Sequence, residues 1–257
     1  MKAIVLAAGQ GTRLLPLTLD RPKCMVLFNG KALLDRLLET LKAASVADVV
    51  VVSGYKSDHI RRTGAKTVKN ERFATTNMVA TLFSAENEFP TDQDLLISYS
   101  DIIYEARVIE ALRACDAPVS VPVNTSWRQL WEKRFQDPLS DAESLRIGEG
   151  GRLLEIGRKA KTLEEIEAQY MGLVKVRADY VGKFREHYTK MSRTERYDGK
   201  DFDNMYMTSF IQNLIDNKWD VRVVPVDGGW LEIDSVEDLE VYESWARDGS
   251  LLQFIRL

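Results

Sequence analysis

Histidine and cysteine are scarce in this chain of 257 residues, with two of each: His59 and His187, Cys24 and Cys115. Two histidines cannot furnish a zinc site built on several imidazoles, and they leave little room for a His-centred triad. Two cysteines give no disulfide framework, and the expected setting is a reduced cytoplasm. No apolar run reaches the roughly 18 residues of a membrane-spanning helix. The apolar start, MKAIVLAAGQGTR, is short and leads into a glycine-rich basic loop, so it reads as a buried strand rather than a signal peptide. Seven prolines and fifteen glycines are too few for a disordered or fibrous chain. A basic excess is also missing: 35 Lys and Arg face 39 Asp and Glu, a net charge of −4. That balance argues against a nucleic-acid surface while allowing a local basic site for a small phosphorylated ligand.

What is present alternates. Lys2–Ala8, Val46–Ser53, Asp94–Ser98 and Pro118–Val123 are short apolar runs of the kind that form doubly buried parallel strands, with a shorter candidate at Lys66–Val68. Between them lie helical patterns at Lys31–Ala44, 58–63 (capped by Ser57), Asn77–Asn87 and Glu105–Cys115. Strand and helix in turn predict a doubly wound, mostly parallel α/β sheet. The rhythm changes after residue 125. A short helix over Trp127–Gln136 precedes strand-like segments Ser144–Ile147, Arg152–Ile156 and Tyr170–Val176, with the turn GEGG between the first two. Helices over Asp179–Lys190 and Met205–Asn217, a strand at Val221–Val226 and a last helix opened by a Ser235/Asp238 capping box complete the pattern. The chain reads as one domain, 1–257. Residues 1–125 form one half, and 126–257 a second half with a small β-rich, substrate-facing subregion.

The most informative segment is LAAGQGTRLLPLTLDRPK, residues 6–23. Gly9 and Gly11 directly follow a strand, where glycine lets the backbone turn and bring N–H groups against phosphate oxygens. Arg13 adds a permanently charged fork, and Pro22-Lys23 delivers an ammonium ten residues later. A dinucleotide fingerprint would need a third glycine at Leu14, and the GK[ST] of a Walker A loop is absent. Asp101 ends the strand LLISYSD, at the carboxyl edge where α/β sheets bind ligands. In GGWLEIDSVEDL, Glu232 and Asp234 alternate with Ile233 and so share one face of a strand.

Residues 6–23 resemble the signature of the nucleotidyltransferase superfamily that activates sugar phosphates and small alcohol phosphates, and the resemblance extends over most of the chain. It implies that Leu6, Ala7, Ala8, Gly9, Gly11, Thr12, Arg13, Thr76, Asn77 and Ser100 contact the nucleotide. It also implies that Arg13, Lys23 and Asp101 are catalytic. Asp101 resembles the family's metal-holding aspartate, for Mg²⁺; Asp234 is favoured as the second ligand, with Glu232 kept open. The family more often has Asp where Glu232 stands and a small residue where Asp234 stands. The stretch EIGRKA stands where sugar-activating members show Glu-Lys-Pro, which places Lys159 at the acceptor phosphate.

The strings WRQLWEKRFQDPLSDAESL, QYMGL and NMYMTSFIQNLI are similar to the cytidylyltransferase branch that uses phosphocholine, 2-aminoethylphosphonate or phosphoglutamine. An ammonium group is recognised by aromatic faces and nearby carboxylates. Trp127, Trp131, Tyr170, Tyr206 and Trp230 offer the first, and Asp141, Glu143 and Glu232 the second. The expectation is a Mg²⁺-dependent cytidylyltransferase. Its partners would be CTP and a small phosphorylated amine acceptor, with neither nucleic acid nor membrane involved; a homodimer is left open. CTP rests on the resemblance, because nothing in Asn70–Ala80 separates cytosine from uracil. A hexose-1-phosphate nucleotidyltransferase and a non-catalytic nucleotide sensor stay as alternatives.

Overall fold

The computed structural model describes residues 1–257. Its centre is an eight-stranded mixed sheet. Lys2–Ala7 pairs in parallel with Asp48–Ser53 on one side and Leu95–Tyr99 on the other, and Asp48–Ser53 continues in parallel to Lys66–Lys69. Lys2–Ala7 and Leu95–Tyr99, at the centre, are buried on both faces, which is why they are continuous apolar runs rather than alternating ones, whereas Lys66–Lys69 is a partly exposed edge. Val119–Asn124 and Val221–Val226 form a second parallel pair. Joining the two sets is Leu173–Val176, antiparallel to both Leu95–Tyr99 and Val119–Asn124. The sheet is therefore mostly parallel, as the alternation predicts, with two antiparallel strands, Gln169–Tyr170 and Leu173–Val176, drawn from the second half of the chain.

Helices Leu33–Ala43 and Ala106–Ala114 cover one face and contribute to a core with Leu34, Leu37, Leu41, Val108 and Leu112. Met78–Phe83, Val181–Lys190 and Met207–Asp216 cover the other, around Phe83, Phe184 and Phe210. The expected helix at Asn77–Asn87 is shorter, ending at Phe83 before a 3-10 turn at Glu86–Glu88. Ser57 makes no side-chain cap, and its helix spans only Asp58–Arg61.

Two departures from the expected pattern shape the cleft. The run Tyr170–Val176 is two strands, Gln169–Tyr170 and Leu173–Val176, broken at Met171 and Gly172. Gly172 has φ +75, and a Cβ there would sit 2.9 Å from the Tyr99 ring. The Met171 carbonyl accepts a hydrogen bond from the Trp230 indole at 2.9 Å instead of continuing the ladder. The second departure is a three-residue strand, Ile102–Tyr104, antiparallel to Trp230–Glu232. It escapes a pattern search because three residues give no period to read.

Candidate functional site

The glycine loop leaves the end of Lys2–Ala7 and is pinned by Thr18, whose hydroxyl donates to the Gly11 carbonyl at 2.9 Å. Gly11 takes a left-handed φ of +73, and a Cβ there would lie 2.7 Å from Cβ of Lys23. Glycine at 11 is thus what lets the loop close on the lysine. Gly9 carries no such constraint: its φ is ordinary and a Cβ would meet nothing within 4 Å.

Lys23 reaches the far side of the loop. Its Nζ donates to Asp101 Oδ2 at 2.5 Å and also pairs with Asp234 Oδ1. Arg13, largely exposed, donates to Asp234 Oδ2 at 2.9 Å. The two-stranded ribbon brings the acids together. Asp101 precedes Ile102–Tyr104, Glu232 sits opposite Ile102, and the Ile233 amide donates to the Asp101 carbonyl at 3.0 Å. As a result Asp101, Glu232 and Asp234 present carboxylate oxygens within 4.8 Å of one another. Both residues left open by the sequence are therefore at this cluster.

The electrostatics follow from that crowding. Burial disfavours the Lys23 ammonium, but Asp101, Asp234 and Glu232 outweigh it and raise its pKa above the ordinary lysine range. Burial pushes the Glu232 carboxyl well above the usual carboxylate range, with Asp234 and Asp101 adding repulsion. Burial acts on Asp234 in the same direction, yet the Lys23 and Arg13 cations prevail and hold it below its ordinary value. Asp101 Oδ1 is buried with no hydrogen-bond partner. An orphaned carboxylate oxygen beside two further acids is the donor set of a hard divalent cation, so these residues fit the metal that the acidic cluster implies.

Three cavities meet at this point. One is lined by Leu6, Ala8, Gly9, Phe73, Thr76, Asn77, Thr81 and Asp101. A shallow one at the acids holds Gly11, Thr12, Arg13, Lys23, Glu232 and Asp234. The third, of about 230 Å³, is lined by Arg13, Trp131, Asp141, Glu143, Tyr170, Tyr206, Trp230, Glu232 and Asp234, among others. Tyr99 and Met78 line all three, and the Tyr99 hydroxyl donates to Met78 Sδ at 2.8 Å. Sequence reasoning passes over Tyr99. The signal was its place two residues before Asp101, on the same side of the strand end.

Most of the expected acceptor residues line the third cavity. Trp131 and Trp230 stack in parallel, ring centroids 6.0 Å apart and 4° between planes. The Trp131 indole donates to Asp141 Oδ2 at 3.1 Å. Gln169 holds the Glu143 main chain, donating to its carbonyl at 2.7 Å. Glu143 is exposed on the cavity wall; partial desolvation of its carboxylate by the surrounding protein, with Asp141 and Asp198 beside it, pushes its pKa up to about 7. Desolvation likewise raises Asp141.

Four of the expected residues do not line these cavities. Trp127 shares a helix face with Trp131 but turns into the core, 5% exposed, and meets Trp131 edge-on rather than the cavity. Lys159 is exposed at the end of the strand Leu153–Lys159, opposite Glu143 in the hairpin, and does not line the cavity. Ala7 and Ser100 are buried beside the nucleotide-side cavities without lining them. Thr76 and Asn77 do line the first cavity, but their side chains are already engaged. Thr76 accepts from Asn70 at 2.9 Å and donates to the Arg72 carbonyl at 2.9 Å. Asn77 caps its helix at the Met78 amide and donates to the Asn204 carbonyl.

Residues 3–163 match the family model described as the MobA-like NTP transferase domain. The chain is 42% identical over 250 residues to CTP:phosphoglutamine cytidylyltransferase of Campylobacter jejuni, covering 94% of this chain and 98% of that protein. Among solved structures it is similar to CTP:phosphocholine cytidylyltransferase from Streptococcus pneumoniae (TM-score 0.68, 22% identity, 95% of this chain and 98% of that one). It is also similar to the inositol-1-phosphate CTP transferase from T. maritima (TM-score 0.73, 20% identity, 96% of each chain). These two likenesses concern the fold, and the fold is the nucleotidyltransferase one. Family match, full-length relative and the three-cavity cleft agree that the chain belongs to the MobA-like NTP transferase family and is a nucleotidyltransferase acting on a nucleotide and a phosphorylated acceptor.

Proposed function

We propose that this enzyme transfers CMP from CTP to a small amine-bearing phosphorylated acceptor of the phosphoglutamine type, releasing pyrophosphate. Among the residues lining the acceptor cavity, the observation that carries this reading is the charge of its wall. Asp141, Glu143, Glu232 and Asp234 face it with Trp131, Trp230, Tyr170 and Tyr206, and Arg13 is its only cation. Arg13 lies at the phosphate end, so the rest of the wall is acidic and aromatic, the surroundings an ammonium seeks. A sugar phosphate has no cation and so gains no charge pairing from such a wall. The full-length likeness to the phosphoglutamine enzyme supports the same choice.

In this reading an oxygen of the acceptor phosphate attacks the α-phosphorus of CTP in line. The bond from that phosphorus to the β-phosphate bridging oxygen breaks, and pyrophosphate leaves with the electron pair. The nucleophile is ionised at neutral pH, so no strong base is needed, and catalysis is positioning with charge neutralisation. The Gly9–Thr12 backbone cradles the phosphates. Arg13 and Lys23 neutralise charge on the reacting phosphoryl group, and Asp101, Glu232 and Asp234 would hold Mg²⁺. The ion supplies further charge stabilisation on the phosphate oxygens when bound. Leu6, Ala8, Phe73, Thr76 and Asn77 form the base side, and Asp141 and Glu143 receive the ammonium.

The test is pyrophosphate release with CTP and a panel of acceptors: phosphoglutamine, phosphocholine, phosphoethanolamine, 2-aminoethylphosphonate and glucose 1-phosphate. A preference for a phosphorylated amine is expected. Glucose 1-phosphate as best substrate, with the amines inert, would replace this reading by a hexose-1-phosphate enzyme. No turnover with any acceptor would leave a nucleotide sensor.

A further inference from the structure

Arg134 is the last residue of the helix Trp127–Arg134, and its side chain is only 1% exposed. It makes a two-point pair with Asp238 in the first turn of the last helix, Nε to Oδ1 at 2.9 Å and Nη2 to Oδ2 at 3.1 Å. The same Asp238 Oδ2 accepts the main-chain amides of Asp234 at 3.0 Å and Ser235 at 3.1 Å. Wherever the guanidinium holds that carboxylate, the Asp234 main chain is held too. The guanidinium carbon lies over the Trp131 ring, 5.1 Å from its centroid, and over Phe135 at 4.8 Å. Trp131 in turn stacks on Trp230 and donates to Asp141. One buried cation therefore touches two chains of contact. The first runs through Asp238 to the acid cluster, and the second runs through Trp131 to the acceptor wall.

A capping box needs only Ser235 and Asp238, and both halves of it are present without Arg134. Burying a guanidinium is costly unless its fork is used, and one Nη1 remains buried without a partner. A local structural role would be met more cheaply by an apolar residue. Only a planar fork can pair two-point with a carboxylate and stack on an indole at once; a lysine ammonium cannot.

We propose that Arg134 is a positioning residue that sets Asp234 and the Trp131 wall together, so that metal affinity and acceptor affinity depend on the same side chain. This rests on the proposed transfer reaction for its kinetic readout and stands apart from it for its metal readout. The experiment uses the full chain with Arg134→Lys, Asp238→Asn and, as control, Ser235→Ala. The readouts are Mn²⁺ binding followed by the resonance signal of the free ion, acceptor KM and kcat, and thermal melting. Substitutions behind metal ligands commonly cost about ten- to a hundredfold in affinity or activity. Arg134→Lys is accordingly expected to weaken Mn²⁺ binding and raise acceptor KM together, each by about tenfold. Ser235→Ala loses a cap bond and should lower the melting temperature with both values near wild type. Should Arg134→Lys fail to fold, Asp238→Asn carries the test: it keeps the size of the side chain, removes the charge that anchors the guanidinium and turns one accepting oxygen into a donor, so the same paired loss of Mn²⁺ and acceptor affinity is expected. Melting temperature falling while both values stay at wild type, a change in only one of them, or an equal change in Ser235→Ala would each overturn the proposal. A wild-type chain that binds Mn²⁺ but releases no pyrophosphate from CTP would instead sink the transfer reading, with the Mn²⁺ comparison still deciding the case for Arg134.

Discussion

The two sides of the cleft that we assign to the nucleotide and to the acceptor are built on opposite plans. On the proposed nucleotide side the phosphate-facing groups come from one short stretch that leaves a central strand, and the backbone itself would be the ligand surface. Gly11 turns, Thr18 pins the turn, and Lys23 arrives on the same excursion of chain. On the acceptor side no stretch supplies more than a few groups. Trp131 comes from a helix, Asp141 and Glu143 from the approach to a hairpin, Gln169 and Tyr170 from a broken strand, and Trp230 and Glu232 from a ribbon. Side chains rather than backbone make up its surface. Backbone cradles suit a ligand part that is always the same, a polyphosphate; assembled side-chain walls suit the part that distinguishes one enzyme from another. Chemistry should therefore fail when the first side is altered, and selectivity should fail when the second is.

The largest effect is expected from Asp101→Asn, which removes a charge from the acid cluster with little change of shape. Turnover should fall by at least about a hundredfold with every acceptor, since metal charge stabilisation amounts to several kcal/mol. Pyrophosphate release at saturating Mg²⁺ measures it, and near-normal turnover would break the comparison at its strongest point. Lys23→Ala comes next. An interaction stronger in the transition state lowers kcat more than it raises the KM for CTP, and a loss of about tenfold or more in kcat is expected. A change confined to KM would reduce the lysine to a ground-state tether.

On the acceptor side, Glu143 titrates near 7 instead of its ordinary 4.5 because of partial desolvation and Asp141. A raised carboxyl pKa favours the folded state while the proton is on. Its contribution to stability is complete below about pH 4.5 and is lost as the pH rises through about 7. Binding of an ammonium has the opposite sense, since it needs the carboxylate. The KM for phosphocholine, whose cation does not titrate, should fall several-fold from about pH 6 to about pH 8. Glu143→Gln should raise that KM and flatten the part of the slope that the acceptor phosphate does not account for. A slope identical in the two proteins would remove Glu143 from the ammonium site. The smallest effect is expected from Trp131→Phe. Trp131 is 3% exposed, so truncation to Ala would damage the fold, whereas Phe keeps an aromatic face and loses the bond to Asp141. The KM for amine acceptors should rise by about threefold, in the range of a weakened cation–π contact, with the KM for CTP unchanged. Equal losses for CTP would show that the two sides are not separable.

The same contrast explains what could be read before the structure. The loop 6–23 and Asp101 are legible because their chemistry is contiguous and punctuated by glycine at a strand end. The capping box at Ser235 and Asp238 is legible because its partners are three residues apart. Arg134, the other partner of Asp238, lies 104 residues away, and no local pattern announces it. Trp127 and Trp131 look alike on one helix face, and only the packing of Trp230 decides which of them meets the cavity. Lys159 teaches the same thing: the motif suggests the acceptor, but the residue is exposed at the end of its hairpin strand and does not line the cavity.

The strand Leu173–Val176 has a last consequence, for any attempt to take the enzyme apart. It comes from beyond residue 125 yet lies between Leu95–Tyr99 and Val119–Asn124, hydrogen-bonded to both. A fragment ending near residue 125 would keep every group of the phosphate cradle and lose the strand that joins its two sets of strands. Leu95, Leu96 and Ile97 would then stand on a bare apolar edge, the kind of template on which sheets of different molecules join. Such a fragment should precipitate rather than bind nucleotide, and new acceptor specificities would be installed by replacing individual segments rather than by transplanting half of the chain.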